Sequence, residues 1–265
     1  MITFLSIIAV GFFLGMRHAT DPDHVIAVTT VVSRQRNLLK AAFTGIFWGI
    51  GHTLTIFVVG AAIILFGVVI PARIGLSMEL SVGLMLIILG VMNIASFLRT
   101  ARTVVPSSAE AEIVHTHPHV HGEVIHDHSH AHSVAHSHDH ESLTWLDRTF
   151  GKIGLYQQLR PLLIGIVHGL AGSAAIALLI LTTIRNPRWA LVYLLVFGFG
   201  TVGGMMLITM SMASAFKFFG NKHQNFSQWL GLASGVVSLA FGLFLAYQMG
   251  FASGLFTGHP QWAPH

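Results

Sequence analysis

The chain has 265 residues, 53% of them hydrophobic and 9% charged, with 14 Lys and Arg against 10 Asp and Glu and a mean hydropathy of +0.71. A water-soluble domain carries about a quarter of its residues as charges, so most of this surface must be solvated by lipid. With no cysteine, disulfide staples and thiolate metal sites are excluded, and nothing in the composition points to a nucleic-acid partner.

Apolar runs fall at Ile2–Val32, Ala41–Phe66, Leu80–Leu98, Pro161–Ile184, Trp189–Ala213 and Trp229–Tyr247. In hydrocarbon every backbone amide and carbonyl must be paired within the protein, which leaves helices and closed barrels. These runs are too long and too continuously apolar for barrel strands of about ten alternating residues. Each of the last five fits one helical crossing, which takes about 20 residues. The expected fold is an all-α integral membrane protein, a polytopic bundle of about six transmembrane helices with a discontinuous first element and a weak internal repeat.

The first run starts directly after Met1 without a basic leader and reads as a retained helix rather than a cleaved signal peptide. It is interrupted at Arg17–His24, RHATDPDH. Pro22 has no amide proton for the carbonyl of His18, so a helix through this point is kinked or unwound. On an unbroken helix His18, Asp21 and His24 trace a slanted stripe and Asp23 points elsewhere; the break at Pro22 offers a way to turn Asp23 into the same cavity. Two carboxylates and two histidines at membrane depth need a partner or water. A divalent transition metal is one such partner, because imidazole and carboxylate together suit nickel, cobalt, zinc or iron. Arg17 is another, and the plain alternative is a helix start at the membrane edge capped by Asp21 or Asp23.

The second run carries GIFWGIGHTLT from Gly45 to Thr55, with His52 well inside it. GIVHGLAGSAA from Gly165 to Ala175 resembles it at Gly45/Gly165, Ile46/Ile166 and Gly49/Gly169, and places His168 and Ser173 in a similar setting. Each histidine either bonds across a helix interface or lines an ion path. The fifth run contains GFGTVGGM, Gly198–Met205, in which Thr201 and Met205 are candidates to face an ion.

Between the third and fourth runs lies a tract with His115, His117, His119, His121, His126, His128, His130, His132, His136, His138 and His140, interspersed with acidic residues. It has too little apolar surface to fold alone. Its near-alternating histidines read as a multivalent, exchangeable metal site, with a pH-responsive segment as the competing reading. The organisation expected is an N-terminal membrane half over 1–98, a disordered histidine-rich loop over 99–160, a C-terminal membrane half over 161–250 and a short tail over 251–265. Six spans place ten basic residues, Arg34 to Lys222, on the side of that loop and Arg73, Arg185 and Arg188 on the other, which makes the loop cytoplasmic in a multi-pass cell-membrane protein.

With the HX4DH pattern formed by His18, Asp23 and His24 inside an interrupted apolar segment, and the GHT at Gly51–Thr53, the chain resembles the nickel/cobalt transporter superfamily of nickel–cobalt permeases and NicO or UreH-type membrane proteins. That resemblance implies translocation of Ni²⁺ or Co²⁺ as substrate, with His18, Asp23 and His24 recognising the metal and His52 taking part. Asp21, His168, Ser173 and Thr201 are further candidates from the residues themselves. No cofactor and no enzymatic activity are expected. Uptake is favoured over efflux because an inward-negative potential draws cations in by about 2.3 kcal/mol per charge per 100 mV. An intramembrane metal-dependent hydrolase or a nontransporting metal sensor are the readings from other classes. The glycine-rich faces suit packing within one chain or between copies, leaving open a homo-oligomer or an auxiliary metal-handling protein.

Overall fold

The structure is a computed structural model and describes residues 4–33, 35, 37–68, 70–103, 114–121, 124–131, 156–170, 184, 186–222, 224–257 and 259–262. The membrane part is helical: α1 (Phe4–His18), α2 (Pro22–Val32), α3 (Leu38–Phe66), α4 (Ala72–Thr103), α5 (Tyr156–His168), α6 (Pro187–Lys222) and α7 (Gln224–Tyr247), the last running into a π-helical turn over Gln248–Ala252. Among the described residues, four stretches are long and apolar enough to cross a membrane: Leu38–Phe66, Ala72–Arg99, Pro187–Phe218 and Gln228–Ala252. The helices α1, α2 and α5 are shorter. Ser173, His132, His136, His138 and His140 lie outside the described residues. Within the histidine-rich tract the backbone of β1 (Val114–His121) pairs antiparallel with β2 (Val124–Ala131).

Helix ends follow from local chemistry. Asn37 caps α3, its side-chain oxygen accepting from the amides of Leu39 and Lys40, and Gly67 ends it at φ 62°, a left-handed conformation that glycine adopts without steric cost. The discontinuity in the first element takes a definite form. Helix α1 stops at His18, Asp21 is extended (φ −60°, ψ 145°), and Pro22 is the first residue of α2. Pro22 thus opens a new helix, where its missing amide proton is not needed, rather than kinking an existing one.

Glycine contacts reveal how the helices run. Gly15 packs on Phe197 and Thr201, and Gly204 on Met16 and Ala19, so α1 and α6 run in the same direction. Gly45 meets Met205 and Thr209 while Gly198 meets Thr53, so α3 runs opposite to α6. Helix α5 runs with α3, since Gly165 lies against Trp48 and Gly169 against Thr55. It follows that α1 and α5 enter the bundle from opposite ends. Helices α4 and α7 form an antiparallel pair, with Gly83 against Gly242 and Gly90 against Gly235.

The polarity of the surface suits lipid. Phe13, Phe43, Leu54, Val58, Leu84, Ile88, Leu207, Val237 and Phe244 are exposed, whereas His24, His52, His168, Thr201, Thr209 and Ser238 are buried. In water this distribution would be costly on both counts; in a bilayer apolar side chains face outward and polar groups find partners inside. Around Ala27, Val28, Trp48, Leu86 and Met205, the apolar core ties α2, α3, α4 and α6 together. A buried polar clamp joins α2, α4 and α7. The Asn93 amide donates to the Gly231 carbonyl (2.9 Å) and the Ser234 hydroxyl (3.1 Å), and Thr30 donates to the Ser234 carbonyl (3.2 Å).

Candidate metal site

The ends of α1 and α5 are built alike. Each is a short apolar helix finishing in Gly-x-x-His, with Gly15 and His18 in one and Gly165 and His168 in the other. In each, the residue after the histidine donates to the carbonyl of that glycine (Ala19 to Gly15, 3.2 Å; Gly169 to Gly165, 2.8 Å), and the next residue closes a turn (Thr20 to Arg17, 2.8 Å; Leu170 to Val167, 3.2 Å). Both glycines are required by close approach, because a Cβ on Gly15 would collide with the Phe197 carbonyl and one on Gly165 with the Trp48 carbonyl. Two carboxyl-terminal helix ends, each carrying partial negative charge, therefore approach the same place inside the bundle, His18 and His168 each lying against His24. Structurally, Gly165 corresponds to Gly15 rather than to Gly45, with which the sequence comparison aligned it. The signal that finds the better match is the shared Gly-x-x-His at the break of an apolar run.

Around these ends His18, Asp23, His24, His52 and His168 come together from α1, α2, α3 and α5. The rings of His24 and His168 are 4.1 Å apart between centroids, those of His18 and His24 4.8 Å, and those of His24 and His52 4.9 Å. The Asp23 carboxylate joins two of them, Oδ1 lying 3.0 Å from His24 Nδ1 and Oδ2 3.0 Å from His168 Nε2. Asp23 Oδ1 also accepts from the His24 backbone amide at 2.9 Å, at the first turn of α2. This is the turn that the break at Pro22 imposes. The new helix start aims Asp23 at α5, a direction that an uninterrupted helix would deny it.

On the other side of His24, His18 Nε2 lies 2.9 Å from His52 Nε2, and His18 Nδ1 lies 2.7 Å from Asp21 Oδ2. Asp21 is itself partly exposed. Two nitrogens bound to one transition metal at about 2.0–2.1 Å and about a right angle stand ~2.9 Å apart, so the His18–His52 separation suits a shared ion as well as it suits a hydrogen bond. Arg17 is exposed and makes no ion pair with Asp21 or Asp23.

The hydrogen-bond network assigns the ring protons. His24 Nδ1 and His168 Nε2 donate to the Asp23 carboxylate, which leaves His24 Nε2 and His168 Nδ1 as bare lone pairs. His18 Nδ1 donates to Asp21, so its Nε2 accepts from His52 and His52 Nδ1 is bare in turn. His24 Nε2, His52 Nδ1 and His168 Nδ1 are all buried without a partner. Buried polar atoms are ordinarily paired, and carboxylates that hold one nitrogen of a histidine so that the other can bind metal are the usual outer shell of metal sites. The donors group as His18, His24 and His52, and as Asp23, His24 and His168, the ligand atoms of each group lying within 4.8 Å of one another.

Of the remaining candidates, Thr201 is buried, but its hydroxyl is spent on the Phe197 carbonyl at 3.0 Å in its own helix, and its backbone meets Gly15. Met205 lies in the apolar core. In the histidine-rich ribbon the backbone register sets His115 opposite His130, His117 opposite His128 and His119 opposite His126.

The fold and the cluster together define the class: a polytopic helical membrane protein that gathers imidazoles and a carboxylate in its interior. The chain belongs to the NicO family, described as high-affinity nickel-transport protein, whose family model matches residues 4–249. It is 34% identical over 252 residues to a urease accessory protein, UreH, of Bacillus sp. (strain TB-90), the match covering 95% of each chain. No solved structure matches.

Proposed function

We propose that the protein carries a divalent transition-metal ion across the cell membrane, with Ni²⁺ the foremost substrate and Co²⁺ the alternative, in the direction of uptake. The observation that carries this reading is the convergence of His18, Asp23, His24, His52 and His168 from four helices on one buried place where three imidazole nitrogens have no protein partner. The family's description as nickel-transport proteins supports the choice of ion. So does the donor set, since imidazole with one carboxylate suits nickel and cobalt, whereas calcium and magnesium prefer oxygen ligands.

The ion sheds water and binds the imidazoles, and Asp23 balances part of its charge. The opposed ends of α1 and α5 let the cluster open to one face and then the other, and six crossings with the histidine-rich tract in the cytoplasm complete the arrangement. A membrane potential of 100 mV, negative inside, favours entry of a divalent ion by ~4.6 kcal/mol, so uptake needs no further energy source. The ribbon that sets histidines opposite one another offers a place to receive the ion after release.

Flux of Ni²⁺ into proteoliposomes under an imposed potential tests the reading, comparing the native chain with His24→Ala and with a chain lacking the histidine-rich loop. Native protein is expected to transport, His24→Ala to fall to background, and the loop deletion to transport with an altered dependence on metal concentration. Undiminished nickel flux through correctly folded His24→Ala would refute the ligand assignment, and absence of flux in the native protein would refute transport itself.

A further inference from the structure

We infer that the cation occupies two successive positions inside the bundle, which share His24 as a common ligand. This inference rests on the transport reading above and adds a route within the site. The ligand atoms do not form one shell. His18, His24 and His52 form one compact set and Asp23, His24 and His168 another. The rings of His52 and His168, which belong to different sets, are 5.9 Å apart, against 4.1 Å between His24 and His168 and 4.9 Å between His24 and His52. His24 alone belongs to both, and its two nitrogens face different surroundings: Nδ1 lies on the Asp23 carboxylate at 3.0 Å, while Nε2 is buried with no partner.

The two sets differ in chemistry. The first offers only imidazoles, with Asp21 held behind His18 at 2.7 Å; it favours borderline transition ions and gives hard oxygen-seeking cations nothing to bind. The second brings Asp23 into direct contact with the ion once the protons on His24 Nδ1 and His168 Nε2 have passed to the unpartnered nitrogen of each ring, and it neutralises one of the ion's charges. Two dications on either side of a single imidazole ring repel strongly at low dielectric, so the positions fill alternately. Selection thus occurs at the first position and movement onward is drawn by the carboxylate of the second, with His24 offering Nε2 to the first position and Nδ1 to the second. The arrangement also gives His18 and His168, at the tips of helices entering from opposite ends, separate positions to serve.

The test uses the full chain with the eleven loop histidines, His115 to His140, replaced by Asn, so that Ni²⁺ bound at high affinity reports on the bundle. This parent is compared with His52→Gln and with His168→Gln, and His18→Gln and Asp23→Asn serve as second probes of the same two positions should either fold poorly. Bound nickel is counted, its ligands are read by X-ray absorption, and flux is measured in proteoliposomes. The expected result is one nickel bound in each of the His52 and His168 variants, with a mixed nitrogen and oxygen shell in the first and a nitrogen-dominated shell in the second. Flux falls to background in both. Loss of all bound nickel in either folded variant, identical shells in the two, or parental flux in either would overturn the two-position route. Those outcomes leave transport intact, whereas a parent that binds nickel without moving it would overturn the transport reading instead.

Discussion

His168 Nε2 sits 3.0 Å from Asp23 Oδ2, a contact between residues 145 positions apart that joins the start of α2 to the end of α5. It makes a single carboxylate the bridge between the two halves of the chain, because the same group also holds His24. Removing its charge while keeping its shape isolates that role. In a chain already carrying His52→Gln, which leaves only the position of Asp23, His24 and His168, Asp23→Asn is expected to weaken Ni²⁺ binding about 10–100-fold, the usual effect of losing a carboxylate that supports metal-ligating histidines. Calorimetric titration of the purified protein reads this directly, and an affinity unchanged from that of the His52→Gln chain would remove Asp23 from the site.

Gly165 and Gly203 form a matched pair for the packing argument. A Cβ at Gly165 collides with the Trp48 carbonyl and comes within 3.0 Å of the His52 amide, whereas at Gly203 nothing lies within 4 Å. Gly165→Ala is expected to cost about 1–3 kcal/mol, as overpacking does, and to depress nickel binding by displacing His168. Gly203→Ala should be neutral or stabilising by up to about 1 kcal/mol, the helix-propensity difference. Thermal unfolding in detergent compares the two, and equal effects would show that the close approach of α3 and α5 is not rigid.

Asn93 holds α4 to α7 away from the histidine cluster. Hydrogen bonds of this kind inside membranes contribute about 0.6 kcal/mol on average and up to about 1.7, so Asn93→Ala is expected to lower stability by about 1–2 kcal/mol with flux per folded molecule changed less than about twofold. A collapse of flux without loss of stability would place Asn93 on the ion path.

The C-terminal tail is seated by Trp262, whose indole donates to Glu79 Oε1 at 2.8 Å and whose ring covers Gly75 at the start of α4. Trp262→Ala should release the tail, seen as faster amide exchange over residues 253–262 with that of α4 beyond its first turns unchanged. Unaltered exchange in the tail would mean that the Gln261 amide bond to the Ser253 carbonyl, 2.9 Å, suffices to hold it.

Hydropathy alone locates the long helices, since the expected Ala41–Phe66 run lies within α3 and Trp229–Tyr247 within α7. It underestimates α4 and α6, which extend past the apolar stretch to Thr103 and Lys222. A helix does not stop where hydropathy falls, because its backbone bonds continue as long as no residue caps or breaks them.

Sequence by itself determined that the chain belongs in lipid, that the first element breaks near Pro22, and that His18, Asp23, His24 and His52 are costly to bury alone. Each of these follows from properties local to a residue and its near neighbours: apolar run length, a missing amide proton, a charge at membrane depth. The tertiary structure decided what those residues meet. That Asp23 faces His168, that His18 faces His52, and that His24 stands between two ligand sets depend on α1 and α5 entering from opposite ends and on the direction in which α2 restarts. Those are relations between segments far apart in the chain, fixed by packing at glycines whose counterparts no local pattern reveals.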